Sequence, residues 1–85
     1  MESMEGQVVP LSHLHPGEEG IVQGLAGGHG LVGRLASLGF TPGVRVTMVQ
    51  NFGRGPVIVL VRDTRVALGR GEAMKVLVER MANDQ

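Results

Sequence analysis

Histidines and carboxylates are the residues of this chain best suited to holding a metal ion. His13 and His15 stand two positions apart, so an extended backbone would place both imidazoles on one side, and Glu18 and Glu19 follow closely. Structural metal sites usually need four well-placed ligands, and the chain has no cysteine to supply a thiolate. We therefore expect His13, His15 and His29 to be exposed loop residues without a tight metal site, and we keep His13 and His15 as weak candidate ligands.

A glycine motif at residues 28–33 has the G-x-G-x-x-G spacing of dinucleotide-binding loops. That fingerprint also needs a parallel βαβ unit and an acidic residue about 20 positions further on. Gln50 and Asn51 stand near that position, and the next acidic residue is Asp63. We therefore interpret the motif as a loop that allows a sharp entry into a helix, and we expect no cofactor.

The serines do not form a pattern that supports nucleophilic catalysis. Ser3, Ser12 and Ser37 are predicted to lie in a tail, a turn and a helix, without a histidine and an acid at suitable spacing. We therefore expect a protein that is not an enzyme.

Four arginines in the second half of the chain could contact phosphate groups: Arg54, Arg62, Arg65 and Arg70. The formal net charge of the whole chain is zero, so it has no general attraction to nucleic acid. Barrels that bind single strands add stacking aromatic residues, and Phe52 is the one available here. A solvated hairpin face and a surface for an acidic partner protein both remain open.

The segment that organises the chain is a short predicted helix over residues 31–38. Leu31, Leu35 and Leu38 recur at helical spacing, and Gly39 follows where a left-handed residue usually ends a helix. So short a helix is not stable alone, which means that its leucines must pack on neighbouring strands. We expect the leucines to be buried, and we expect Val32, Arg34 and Phe40 to be accessible to a partner.

The remaining patterns predict a mainly β fold. Alternation and β-branched residues indicate five short strands, near residues 20–25, 44–50, 57–61, 65–68 and 76–78. Arg62 and Asp63 are predicted to form a tight hairpin turn between the third and fourth strands. With one inserted helix, five meandering strands favour a small closed SH3-like barrel, and closure would remove exposed strand edges. We expect the barrel over residues 10–80, a flexible extension over 1–9 and a polar tail over 81–85.

The apolar patterns give no sign of export or of a membrane anchor. No apolar run approaches the ~20 residues that cross a bilayer, and residues 1–7 are acidic without an apolar core. We therefore expect a cytoplasmic protein.

Taken together, these segments resemble the FeoA family, the small cytoplasmic proteins of bacterial ferrous iron uptake. The most specific match is Arg-Leu-x-x-Leu-Gly-Phe-x-Pro-Gly at residues 34–43. Supporting matches run from residue 10 to about residue 79 and include Leu11, Leu14, Gly55-Pro56, Ala67-Leu68, Ala73, Val76 and Val78. The acidic start and the His13-Leu14-His15 segment are not part of the family pattern.

The resemblance implies an SH3-like barrel that acts with FeoB, the membrane iron transporter that carries a cytoplasmic G-domain. It implies neither catalytic residues nor a consistent set of metal ligands. The same domain is similar to the C-terminal module of iron- and manganese-dependent repressors. We therefore expect a regulatory protein that binds the transporter through Val32, Arg34 and Phe40. We expect no binding to nucleic acid. The alternative is a stand-alone regulatory barrel that responds to metal or binds nucleic acid.

Overall fold

The computed structural model describes residues 6–81. A short 3₁₀ turn at Leu11–His13 follows the first strand. The strands and helices are, in chain order, β1 (Val8–Pro10), β2 (Glu19–Leu25), α1 (His29–Ser37), β3 (Arg45–Gln50), β4 (Val57–Val61), β5 (Thr64–Leu68), α2 (Arg70–Ala73) and β6 (Val76–Arg80).

The six strands form one antiparallel sheet in the order β1-β6-β2-β3-β4-β5. The predicted count of five strands is therefore wrong, because β1 was missed. It is three residues long and ends in Pro10, and it becomes a strand through pairing with β6, where Val8 lies opposite Glu79. The predicted closure is also wrong, since β1 and β5 are the two edges of the sheet and do not pair with each other.

Alternating residues of the central strands build the core. Val57, Val59 and Val61 of β4 are buried, and the residues between them are half-buried. In β3, Val46 and Met48 are buried, which confirms the predicted alternation, although Val44 is half-buried and lies before the strand. Irregular pairing near residues 22–24 and 48–50 bends the strands around this core.

The helix α1 begins two residues before its predicted start and ends at Ser37. Of its predicted core leucines, Leu35 is fully buried, whereas Leu31 and Leu38 are half-buried against the core. The strands before and after α1 pair antiparallel, which excludes the parallel βαβ unit of a dinucleotide-binding fold.

Two predicted turns are confirmed by positive φ angles. Gly39, two residues after the end of α1, has a φ of 108° where the chain turns towards β3. Arg62 and Asp63 have φ angles of 50° and 64°, as a two-residue hairpin turn between β4 and β5 requires.

The predicted terminal segments fall partly within the described residues. Residues 1–5 of the extension and 82–85 of the tail lie outside them. The rest of the extension is tied to β6 through β1 and through a bond of 3.0 Å that the Gly6 N–H donates to the carbonyl of Arg80.

Candidate functional site

The helix α1 separates a buried side from an exposed side. Leu35 points into the core, while Gly33, Arg34 and Ser37 are exposed. The hydroxyl of Ser37 donates a 2.7 Å hydrogen bond to the carbonyl of Arg34, within the same exposed turn. We call the part of α1 that solvent can reach, which includes the exposed Arg34 and the half-buried Val32, the α1 surface.

An ion pair joins this surface to α2. The Arg34 guanidinium pairs with the carboxylate of Glu72, and the side chains are 53% and 28% exposed. The other carboxylate oxygen of Glu72 accepts a 3.0 Å hydrogen bond from the N–H of Gly69, so Glu72 also caps α2. A pair this exposed adds little stability, but it fixes where the guanidinium lies. The sequence interpretation missed Glu72, although its position three residues after Gly69 is a capping signal.

The structure corrects the expectation that Phe40 is accessible. Its side chain is fully buried. The left-handed Gly39 turns the chain back, and the Phe40 N–H donates a 3.1 Å hydrogen bond to the carbonyl of Leu35. That closure places Phe40 in the hydrophobic core rather than on the surface. Val32 is half-buried and Arg34 is exposed, so these two can reach a partner.

A second polar cluster surrounds Glu18, at the turn that leads into β2. Its carboxylate accepts a 2.7 Å hydrogen bond from the His15 N–H and lies 3.3 Å from His15 Nδ1. Arg80 lies on the other side, with Nε 3.6 Å from the carboxylate, and its Nη2 donates a 2.9 Å hydrogen bond to the carbonyl of His13. Burial raises the pKa of Glu18, but the His15 hydrogen bond and the Arg80 charge outweigh it, so the net pKa is lowered.

His13, His15 and His29 are all exposed, as we expected, but only His15 lies in a loop, because His13 ends the 3₁₀ turn and His29 begins α1. Among residues 6–81, no group of three or more histidine and acidic side chains is arranged to hold a metal ion. Neither helix of this described part is long and apolar enough to cross a membrane.

The family model for the FeoA domain matches residues 9–80. A putative Fe(2+) transport protein A from Methanocaldococcus jannaschii is 40% identical over 70 residues, which cover 82% of this chain and 84% of that protein.

Solved structures agree with this match. An iron uptake regulatory protein, FeoA, superposes with a TM-score of 0.84 at 40% identity, over 88% of this chain and 100% of that chain. Zinc-bound FeoA of Stenotrophomonas maltophilia, described as an SH3 domain protein, gives 0.73 at 34% identity, over 81% and 87%.

A manganese-dependent transcriptional repressor shares the fold alone. Its TM-score is 0.79 at 20% identity, and the match covers 89% of this chain and 43% of the repressor. This agrees with the similarity to a repressor module that the sequence suggested. By its family model and by these close relatives, the chain belongs to the FeoA family, which is associated with Fe²⁺ transport.

Proposed function

We propose that this protein is a non-catalytic, cytoplasmic regulator of ferrous iron transport that docks on the cytoplasmic part of a FeoB-type transporter. Membership of a family associated with Fe²⁺ transport supports the process. Docking is supported by an exposed arginine on the α1 surface that an ion pair with Glu72 holds in place. Recruitment to the inner face of the membrane would then occur through the transporter.

The observation that carries the proposal is the division of the family's most recognisable segment between core and surface. Leu35 and Phe40 hold the segment to the sheet, and both are fully buried. Arg34 lies beside them in sequence but reaches outward, and Glu72 holds it in place. An exposed, pre-positioned arginine offers a charge-assisted contact of a kind that is common at the centre of interfaces. Val32, two positions earlier in the helix, offers a separate apolar contact, because side chains two residues apart do not share one helix face.

The test compares two variants that lose the same ion pair. Arg34→Gln removes the guanidinium, whereas Glu72→Gln leaves it and keeps an amide oxygen that can still accept from the Gly69 N–H. If the transporter binds Arg34, Arg34→Gln weakens binding at least tenfold, equivalent to about 1.4 kcal/mol, whereas Glu72→Gln, which only frees the guanidinium, weakens it much less. Binding is measured by calorimetry with the purified cytoplasmic part of the transporter from the same genome.

Val32→Ser tests the apolar half of the α1 surface in the same assay. Thermal melting followed by circular dichroism checks that each variant is folded. Equal losses in Arg34→Gln and Glu72→Gln would show that the ion pair matters for the fold of this region and not as a contact. Wild-type binding by all three variants would reject the α1 surface.

A further inference from the structure

Phe52 is the most exposed large apolar side chain of the described residues. It lies in the β3–β4 loop, residues 51–56, and its side chain is 77% exposed. Phe40, the other phenylalanine of the chain, is fully buried. Single exposed apolar residues are common on proteins, so exposure alone does not indicate a site.

Side-chain hydrogen bonds anchor both ends of the loop that carries Phe52. The Asn51 amide donates to the carbonyls of Ser12 and Leu14, at 3.0 and 2.8 Å. Its oxygen accepts 2.9 and 2.6 Å hydrogen bonds from the Gly53 N–H and from Nη2 of Arg70. Arg70 Nε also donates to the carbonyl of Gly55, at 3.1 Å. One guanidinium therefore connects the two ends of the loop.

Anchoring of the loop lowers the entropic cost of binding through Phe52. A side chain on a disordered loop must be ordered when a partner binds, and the ordering costs free energy. Here the fold has already fixed the backbone on both sides of Phe52. The loop therefore presents an aromatic side chain of the kind that dominates binding energy at interfaces.

Charge around the loop indicates what kind of partner would fit. Arg54 lies two residues after Phe52, is exposed and makes no ion pair within residues 6–81. Arg70 contacts the loop through neutral acceptors, and it makes no ion pair with a carboxylate of residues 6–81.

The longer segment that contains the loop is basic as well. Residues 51–75 hold five basic and two acidic residues, a net charge of +3, while the rest of the described chain balances three basic against three acidic residues. The five basic residues are Arg54, Arg62, Arg65, Arg70 and Lys75. Arg62 and Arg65 lie at the far end of β4, so the basic residues of the loop region are Arg54 and Arg70. An acidic surface is their complement.

We propose that Phe52 and Arg54 form a second docking surface, separate from the α1 surface, for an acidic part of a protein partner. Phe52 enters an apolar pocket of the partner, and Arg54 pairs with a carboxylate at the pocket's rim. The proposal rests on the proposed function, because the partner is the same cytoplasmic part of the transporter. A nucleic acid fits less well, since single-strand binding normally uses several stacking aromatics and this surface offers one.

The experiment measures binding of the full chain to the purified cytoplasmic part of the transporter, for Phe52→Ser, Arg54→Glu and a control. The control is Val8→Ser, which removes another exposed apolar side chain, 55% exposed, from the edge strand β1. We expect at least tenfold weaker binding for Phe52→Ser and Arg54→Glu, with a larger Arg54→Glu effect at low salt. We expect Val8→Ser to bind as the wild type does, and all melting temperatures to stay unchanged.

The outcomes separate this inference from the proposed function. If Arg34→Gln weakens binding and Phe52→Ser does not, the second surface is rejected and the proposed function stands. If the wild type does not bind the transporter at all, both are rejected. A parallel titration with a fluorescent single-stranded oligonucleotide covers the remaining partner class, because binding that Phe52→Ser abolishes there would overturn the assignment to a protein.

Discussion

Replacing Asn51 with alanine tests whether one side-chain amide holds the β3–β4 loop to the rest of the fold. Three of its four hydrogen bonds are part-buried: those to the carbonyls of Ser12 and Leu14 and the one from Arg70. The fourth, from Gly53, is exposed, so water can replace it. At about 1 kcal/mol for each part-buried bond, Asn51→Ala should lower the free energy of unfolding by about 3 kcal/mol.

Urea denaturation followed by circular dichroism measures this loss, and Gln23→Ala is the matched control. Gln23 also carries a side-chain amide, but its bonds to the carbonyl of Ile21 and to Glu79 are exposed and long, at 3.4 and 3.3 Å. That variant should change the free energy of unfolding by no more than about 0.5 kcal/mol. If Asn51→Ala costs no more than Gln23→Ala, the amide does not anchor the loop and the reasoning is refuted.

Two further predictions concern the core and the Glu18 cluster. Leu35→Ala should lower the free energy of unfolding by about 2–5 kcal/mol because Leu35 is fully buried, and Leu31→Ala, at a half-buried site of the same helix, should lower it less. Equal denaturation midpoints for the wild type and Leu35→Ala would contradict the packing. Because the pKa of Glu18 is lowered in the fold, its charged form stabilises the protein at pH values above the usual carboxyl pKa. This stabilisation disappears as the pH falls through the lowered pKa. Glu18→Gln should therefore flatten the acid side of the stability–pH profile, and a profile parallel to that of the wild type would exclude this role.

Local patterns predicted the parts of the fold in which neighbours in sequence determine the structure. The leucine spacing identified α1, and Gly39 marked its end, because helix periodicity and the left-handed glycine are properties of a few consecutive residues. The turn at Arg62 and Asp63 was found in the same way. By contrast, β1 carries almost no local signal, and it exists because β6 offers a partner for Val8 and Val9.

The surfaces were harder to predict because exposure depends on tertiary packing. Phe40 follows the helix and could have faced either way, and the closing turn at Gly39 decides that it is buried. Phe52 was recognised from the sequence as an available aromatic, but nothing near it in sequence shows that its loop is anchored. The groups that hold Asn51 come from residues 37 and 39 positions before it and 19 after it.

The short helix α2 connects the two proposed docking surfaces. Glu72 pairs with Arg34 on the α1 surface, and Arg70, two residues earlier, bonds to Asn51 and Gly55 in the loop that carries Phe52. Ala73 of the same helix is fully buried, which fixes α2 to the core. Both surfaces are therefore presented by one rigid unit. A partner that contacts both loses its translational and rotational freedom only once, so the second contact adds no further entropic cost of this kind. A change at Arg70 would disturb the loop itself, which is why the decisive substitutions are at outward side chains such as Phe52 and Arg54.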